Sequence, residues 1–242
     1  MSDYIIDIEH LTKSFGQKEI LKDITLKVKP GESIVTLGKS GTGKSVTLLC
    51  IVGLILPDSG TLKVFDKSIP DLSDKELNEV RKKVGFLFQS GALYDSMSVR
   101  ENLEFPLTRH FNYSRDELNE KVENVLNDVG LIDAIDKMPS ELSGGMRKRI
   151  GLARTIIMRP EIILYDEPTT GLDPATTREI SFLVKDLNSA YNITSIIVTH
   201  DMACTKITAQ RILVLKDGIY FAEGSFDELS NSNDDFVKSF FI

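Results

Sequence analysis

The chain has 242 residues, 41% of them hydrophobic and 27% charged, a composition that supports a sizeable buried core and excludes a disordered polymer. Its formal net charge is −7, from 29 Lys and Arg against 36 Asp and Glu, so no nucleic-acid partner is expected: a phosphate backbone selects a broad electropositive face. Even the apolar run from Leu48 to Leu56 reaches only nine residues, against the roughly 20 of a membrane-spanning helix.

In chain order, short β-branched runs alternate with helical patterns, the mark of an α/β fold with a mainly parallel sheet. The opening stretch holds Asp3, Asp7 and Glu9 where a secretory leader needs basic and then apolar residues, so a cytosolic protein is expected. Strands are predicted at 4–8, 24–28, 33–37, 61–65, 84–88, 162–165, 194–198, 211–215 and 220–223. The runs at 33–37, 84–88, 162–165 and 194–198 do not alternate, as suits central strands buried on both faces. The first and last runs read as antiparallel hairpins, with turns at Lys29-Pro30-Gly31 and Lys216-Asp217-Gly218. From about Gln89 to Ile156 the strand signal gives way to helices, two of them announced by the capping boxes Ser98–Glu101 and Ser114–Glu117. The expected organisation is one domain over 1–242. Residues 1–88 and 157–242 form its α/β core, the early strands add an antiparallel β subdomain, and 89–156 form an inserted helical subdomain. Cys50 and Cys204 make no C-x-x-C pair and read as ordinary packed cysteines.

Directly after the run 33–37 comes Gly38-Lys39-Ser40-Gly41-Thr42-Gly43-Lys44-Ser45, followed by Val46 in an opening helix. The pattern is that of a P-loop: glycines let backbone N–H groups and a helix N-terminus gather phosphates, Lys44 adds a full charge, and Ser45 offers a hydroxyl to Mg²⁺. The run 162–165 ends in Asp166-Glu167, two adjacent carboxylates that would be costly to bury without a cation or placed partners. Asp166 is the expected second metal ligand, and Glu167, facing the other way, the residue that polarises an attacking water.

Leu142-Ser143-Gly144-Gly145-Met146 opens another helix and supplies a second anion-binding N-terminus. Here the sequence resembles the ATP-binding cassette (ABC) family, and the resemblance extends over nearly the whole chain. It implies an ATPase that binds ATP and Mg²⁺ and works as a head-to-tail dimer, with each nucleotide held between one copy's P-loop and the other's Ser143, Gly144 and Gly145. It further implies that Gln89 senses the γ-phosphate and Mg²⁺ as a metal ligand, that His200 contacts the γ-phosphate, and that Asp173 lies in the loop linking the two sites. Phe15 would stack on adenine. Lys39 departs from the Pro common in relatives.

A coiled-coil insertion or a second cassette, as in the repair and translation branches of the family, is absent from the sequence. The wording Phe88-Gln-Ser-Gly-Ala-Leu-Tyr94 and Gly145-Met-Arg-Lys-Arg149 is similar to ATPases of the Mla/Mce-associated phospholipid transporters. That resemblance implies a membrane-embedded permease as partner, an MCE-type lipid-binding protein beyond it, and residence at the cytoplasmic face of the inner membrane. Arg147, Lys148 and Arg149 read as a solvated helix face. Leu93, Tyr94, Met97 and Leu103 are expected to form a shallow apolar groove for a permease helix.

Overall fold

A computed structural model describes residues 3–241. Its first strands, β1 (Ile6–Phe15) and β2 (Lys18–Val28), form a hairpin closed by Gly16 and Gln17, with Phe15 opposite Lys18 and Gly16 at φ 60°. This corrects the expected turn at Lys29-Pro30-Gly31, which instead leads from β2 into β3 (Ser33–Leu37), a strand that is not its neighbour. The last hairpin is as expected. β9 (Arg211–Lys216) and β10 (Ile219–Gly224) meet across Asp217 and Gly218, both at positive φ as a tight two-residue hairpin turn requires.

The remaining strands are β4 (Ser59–Val64), β5 (Lys67–Ser68), β6 (Val84–Leu87), β7 (Ile162–Asp166) and β8 (Thr194–Thr199). All ten align in the order β5-β4-β1-β2-β10-β9-β3-β8-β7-β6. From β9 to β6 the pairs are parallel, and from β2 to β5 antiparallel. Side chains of the parallel half alternate between two cores. Val35, Leu37, Ile163, Tyr165 and Ile197 face one way, while Ile34, Leu164, Ile196 and Val198 face the other. Burial on both faces explains why these strands show no polar alternation. The run at 84–88 is expected to be central as well, yet β6 is the outermost strand of this half and, among the described residues, pairs only with β7. Phe86 is accordingly half-buried and stacks on the exposed Phe88 at 4.2 Å.

Helix α1 (Lys44–Ile51) packs against β2, β4, β7 and β8, and α2 (Asp74–Arg81) against β6. Between β6 and β7 lie α3 (Val99–His110), α4 (Arg115–Asp128) and α5 (Gly144–Ile156), with no strand among the described residues. Ser98 and Ser114 form the anticipated capping boxes with Glu101 and Glu117. Val99, Leu103, Leu118, Val122 and Ile150 join the core that contains Tyr165, so this helical region packs on the sheet. α6 (Pro174–Ala190), α7 (Met202–Thr208), α8 (Phe226–Ser230) and α9 (Asp235–Lys238) complete the chain. No helix among the described residues is long and apolar enough to cross a membrane.

Candidate functional site

The segment between β3 and α1 borders a cleft of about 680 Å³. Gly43 shows why the local sequence must be glycine: its φ is 105°, and a Cβ there would lie 2.7 Å from Leu21 Cδ2 of β2. α1 begins with no side-chain cap, whereas every other α-helix among the described residues is capped by a Ser or Asp side chain. Its first backbone N–H groups therefore keep their hydrogen-bonding capacity for an anion.

Lys44 is buried, and its Nζ donates to the carbonyls of Gly38 (2.7 Å) and Lys39 (3.2 Å). Burial holds its pKa below the ordinary lysine value, although Glu167 and Asp166 pull it upward; Glu167 Oε1 lies 3.9 Å away. The Ser45 hydroxyl donates to Asp166 Oδ1 at 2.8 Å. Burial pushes the Asp166 carboxyl above the usual carboxylate range, outweighing the Ser45 hydrogen bond. A raised carboxyl beside a hydroxyl suits a hard cation, which takes oxygen ligands and favours the charged form; Ser45 and Asp166 fit Mg²⁺ on this ground.

Glu167 has a left-handed backbone, φ 51°, unusual for a residue with a side chain. Its N–H donates to the Val198 carbonyl at 2.9 Å. Its Oε2 accepts from the Thr170 hydroxyl at 3.1 Å and lies 2.9 Å from His200 Nδ1. The turn after β7 thus directs Glu167 toward α1 and β8, with a polar partner on each side.

The cleft brings together Phe15, Lys39, Ser40, Gly41, Gly43, Lys44, Ser45, Val46, Gln89, Asp166, Glu167 and His200 of the residues singled out in the sequence. Gly38 is buried beneath the loop, and the Thr42 hydroxyl turns back to the Lys39 carbonyl at 2.8 Å. Phe15 is 49% exposed at the mouth. Ser143, Gly144, Gly145 and Asp173 are not there: they border a second opening of about 520 Å³ that shares no residue with the first. Within the chain Ser143 caps α5 through Met146 N–H, and Asp173 caps α6 through Ala175 and Thr176. Hydrogen bonds from Thr176 hold the Asp173 carboxyl below its ordinary range.

Sequence reasoning missed Lys18, Ile20 and Thr170, which also line the first cleft. Thr170 was within reach, standing three residues after Glu167. Lys18 and Ile20 reach the cleft only because β2 folds against the P-loop, which no local pattern reports. The expected solvated face at 147–149 is corrected in part: Arg147 is exposed, Arg149 pairs with Glu179 at 2.7 Å, but Lys148 is buried.

A larger groove, about 1080 Å³, runs between α2, β6, α3 and α5. Tyr94 and Phe105, 5.1 Å apart, lie on its wall. Leu103 does not, since it is fully buried in the core, and Leu93 packs against that core as well. The reason is Asn102, wholly buried, which ties the preceding loop inward: its side chain accepts from Tyr94 N–H (2.8 Å) and donates to the carbonyls of Tyr94, Met97 and Ser98.

Comparison with known proteins decides the family. The profile described as "ABC transporter" matches residues 21–170, well over half of the chain and both carboxylate-bearing and Gly-rich segments of the first cleft. The chain belongs to the ABC transporter family. At 41% identity over 97% of its length it is similar to the Mycobacterium leprae protein named "Probable ribonucleotide transport ATP-binding protein mkl", of which it covers 68%. At 39% identity it is similar to the methionine import ATP-binding protein MetN of Campylobacter jejuni (93% of this chain, 72% of the relative). It is equally close to the intermembrane phospholipid transport ATP-binding protein MlaF of Haemophilus influenzae (97% and 89%). Among solved structures it is similar to a dimeric ATP-binding cassette in a post-hydrolysis state bound to ADP and Pi, with a TM-score of 0.83, 33% identity, and coverage of 91% of this chain and 98% of the other. This ABC chain is an ATPase whose hydrolysis of ATP is coupled to transport.

Proposed function

We propose that the chain energises phospholipid transport, working as a head-to-tail dimer beneath a membrane-embedded permease. The observation that carries the dimer is the separation of its two anion-receptive openings: the P-loop with Asp166 and Glu167 lies in one, and Ser143–Gly145 in the other. Stacking two copies in opposite directions unites each P-loop with its partner's Ser143–Gly145 segment. That the similar solved cassette is dimeric supports this reading.

In the proposed reaction the N–H groups of α1 and the Lys44 ammonium receive the phosphates. Lys44 exchanges its bonds to the Gly38 and Lys39 carbonyls for phosphate oxygens. Ser45, Asp166 and Gln89 would hold Mg²⁺, whose chemistry there is to neutralise charge on the terminal phosphates. Glu167 orients and polarises the water, and His200, already at its carboxylate, and Gln89 stabilise charge on the transferred phosphoryl group. Phe15 at the cleft mouth stacks on the adenine, and Asp173 transmits the state of one site to the other. No covalent intermediate with the protein forms.

The proposed division takes 1–88 and 157–242 as the core and 89–156 as the helical part, and the lack of strands between β6 and β7 among the described residues supports it. In this reading the groove bearing Tyr94 and Phe105 receives a cytoplasmic helix of the permease, and the chain sits peripherally at the cytoplasmic face of the inner membrane, with an MCE-type lipid-binding protein beyond. Similarity to MlaF over nearly all of both chains supports the lipid as substrate. Similarity to MetN supports a second reading, import of a small solute. The test is reconstitution with the cognate permease in vesicles. Phospholipid transfer that requires ATP supports the first reading, and ATP-driven methionine uptake without lipid transfer overturns it in favour of the second.

A further inference from the structure

Lys148 stands between two arginines early in α5, where a solvated ammonium is the ordinary expectation. Only 7% of it is exposed. Its Nζ donates to the carbonyl of Gln89 and, at 3.5 Å, to the carbonyl of Glu167. Burial lowers its pKa while the nearby Glu167 and Asp166 raise it. An ammonium kept from water needs acceptors placed for it. Here both acceptors are main-chain atoms of residues that border the first cleft.

The Glu167 carbonyl is an unusual acceptor because its own residue is held at φ 51°. Such a backbone persists where the surroundings fix it from several sides. The N–H is fixed by Val198 and the carboxylate by Thr170 and His200. The carbonyl accepts from the Thr170 N–H at 3.3 Å, and Lys148 is its second donor. It is the side chain that joins three segments: α5, which starts at Ser143; the loop after β6, which holds Gln89; and the turn after β7, which aims Glu167.

We propose that Lys148 is a positioning residue for hydrolysis, its ammonium tying the Gln89 and Glu167 carbonyls together so that the Glu167 carboxylate keeps its aim into the cleft. The proposal rests on the reading of Glu167 as the group that polarises water. It also supplies a physical link between the two openings, since a shift of α5 at Ser143 moves the donor that holds Glu167. Lys148 touches neither opening itself; it acts through the backbone of residues that do.

The experiment uses the purified full chain with Mg²⁺ and ATP. Lys148→Met keeps the apolar stem and volume but removes every donor. It is expected to lower kcat about tenfold, a loss typical of slight misplacement of a reacting group, while KM for ATP stays within about twofold. Lys148→Gln, which retains a donor able to reach one carbonyl, is expected two- to threefold below the parent by the same reasoning. Parental kcat in Lys148→Met, or a raised KM with unchanged kcat, overturns the proposal. Where Lys148→Met fails to fold, the Gln variant decides: a reduced kcat at parental KM supports the link, and parental kcat refutes it. Glu167→Gln measured in parallel separates the two ideas. If it hydrolyses at the parental rate the reading of Glu167 itself falls, whereas a dead Glu167→Gln beside a fully active Lys148→Met removes only the role given to Lys148.

Discussion

Glu167→Gln replaces one carboxylate oxygen by an amide nitrogen in a site whose partners tolerate the exchange. Thr170 Oγ1 (3.1 Å) and His200 Nδ1 (2.9 Å) both meet Glu167 Oε2, so a Gln carbonyl oxygen at that position still accepts from the Thr170 hydroxyl and from an Nδ1–H of His200. What is lost is the negative charge, and with it an ion pair to Lys44 that at 3.9 Å is too long for a hydrogen bond. Folding stability is therefore expected to change by no more than about 1 kcal/mol. The catalytic effect is much larger: losing a positioned base removes roughly 10²- to 10⁴-fold in rate, about 2.7 to 5.4 kcal/mol on the barrier. ATP affinity should hold, because the P-loop is untouched. Steady-state hydrolysis, nucleotide titration and a thermal melt on one preparation measure all three quantities. Hydrolysis within twofold of the parent would refute the role of Glu167, and loss of ATP binding together with activity would show the substitution acting through the pocket instead.

Asp166→Asn tests the electrostatics: burial raises the folded-state pKa of Asp166, so the stability contributed by its protonated form is complete below the unfolded pKa and is lost as pH rises through the folded one. The nucleotide-free Asn variant should thus melt above the parent at pH 7, with the gain vanishing toward about pH 4 and below; a gain independent of pH contradicts this. Lys44→Ala should weaken ATP binding itself, and an unchanged titration would count against the P-loop reading. Tyr94→Glu puts a carboxylate on the groove wall and should reduce co-purification with the permease while sparing ATP binding, so undiminished co-purification removes Tyr94 from the docking surface. Tyr165→Phe deletes the bond from the fully buried Tyr165 hydroxyl to Asn188 Oδ1, 2.8 Å, and should cost about 1–3 kcal/mol in urea unfolding, since the Asn188 amide nitrogen is already unpaired; an unchanged midpoint contradicts the accounting.

The parts of this molecule legible in its sequence are those written by local chemistry. Gly43 must be glycine because of its own φ and the closeness of β2, and the capping serines announce α3 and α4 from three residues away. Asp166 and Glu167 stand out because adjacent carboxylates ending an apolar strand need an explanation. What sequence could not supply was pairing between distant segments. The turn at Lys29-Pro30-Gly31 looks like a hairpin until β9 and β10 are seen to lie between β2 and β3. The apolar run at 84–88 resembles its central neighbours, yet β6 is an edge strand, where Phe86 lines a groove and Phe88 is exposed. Lys148 and Leu103 were misjudged for one reason: helical spacing tells which residues share a face, and only the packing of α3 and α5 onto the sheet tells which face is covered.

The central claim is that one chain holds two half-sites that become whole only across a second copy. Sedimentation velocity of the Glu167→Gln chain with and without Mg²⁺ and ATP tests it most directly, because bound nucleotide is not consumed. A species of twice the single-chain mass is expected to form with Mg²⁺ and ATP and to be abolished by adding Ser143→Arg, while ATP binding to the P-loop persists. A chain that binds ATP yet sediments as a single copy, or a dimer indifferent to both ATP and Ser143→Arg, would contradict it.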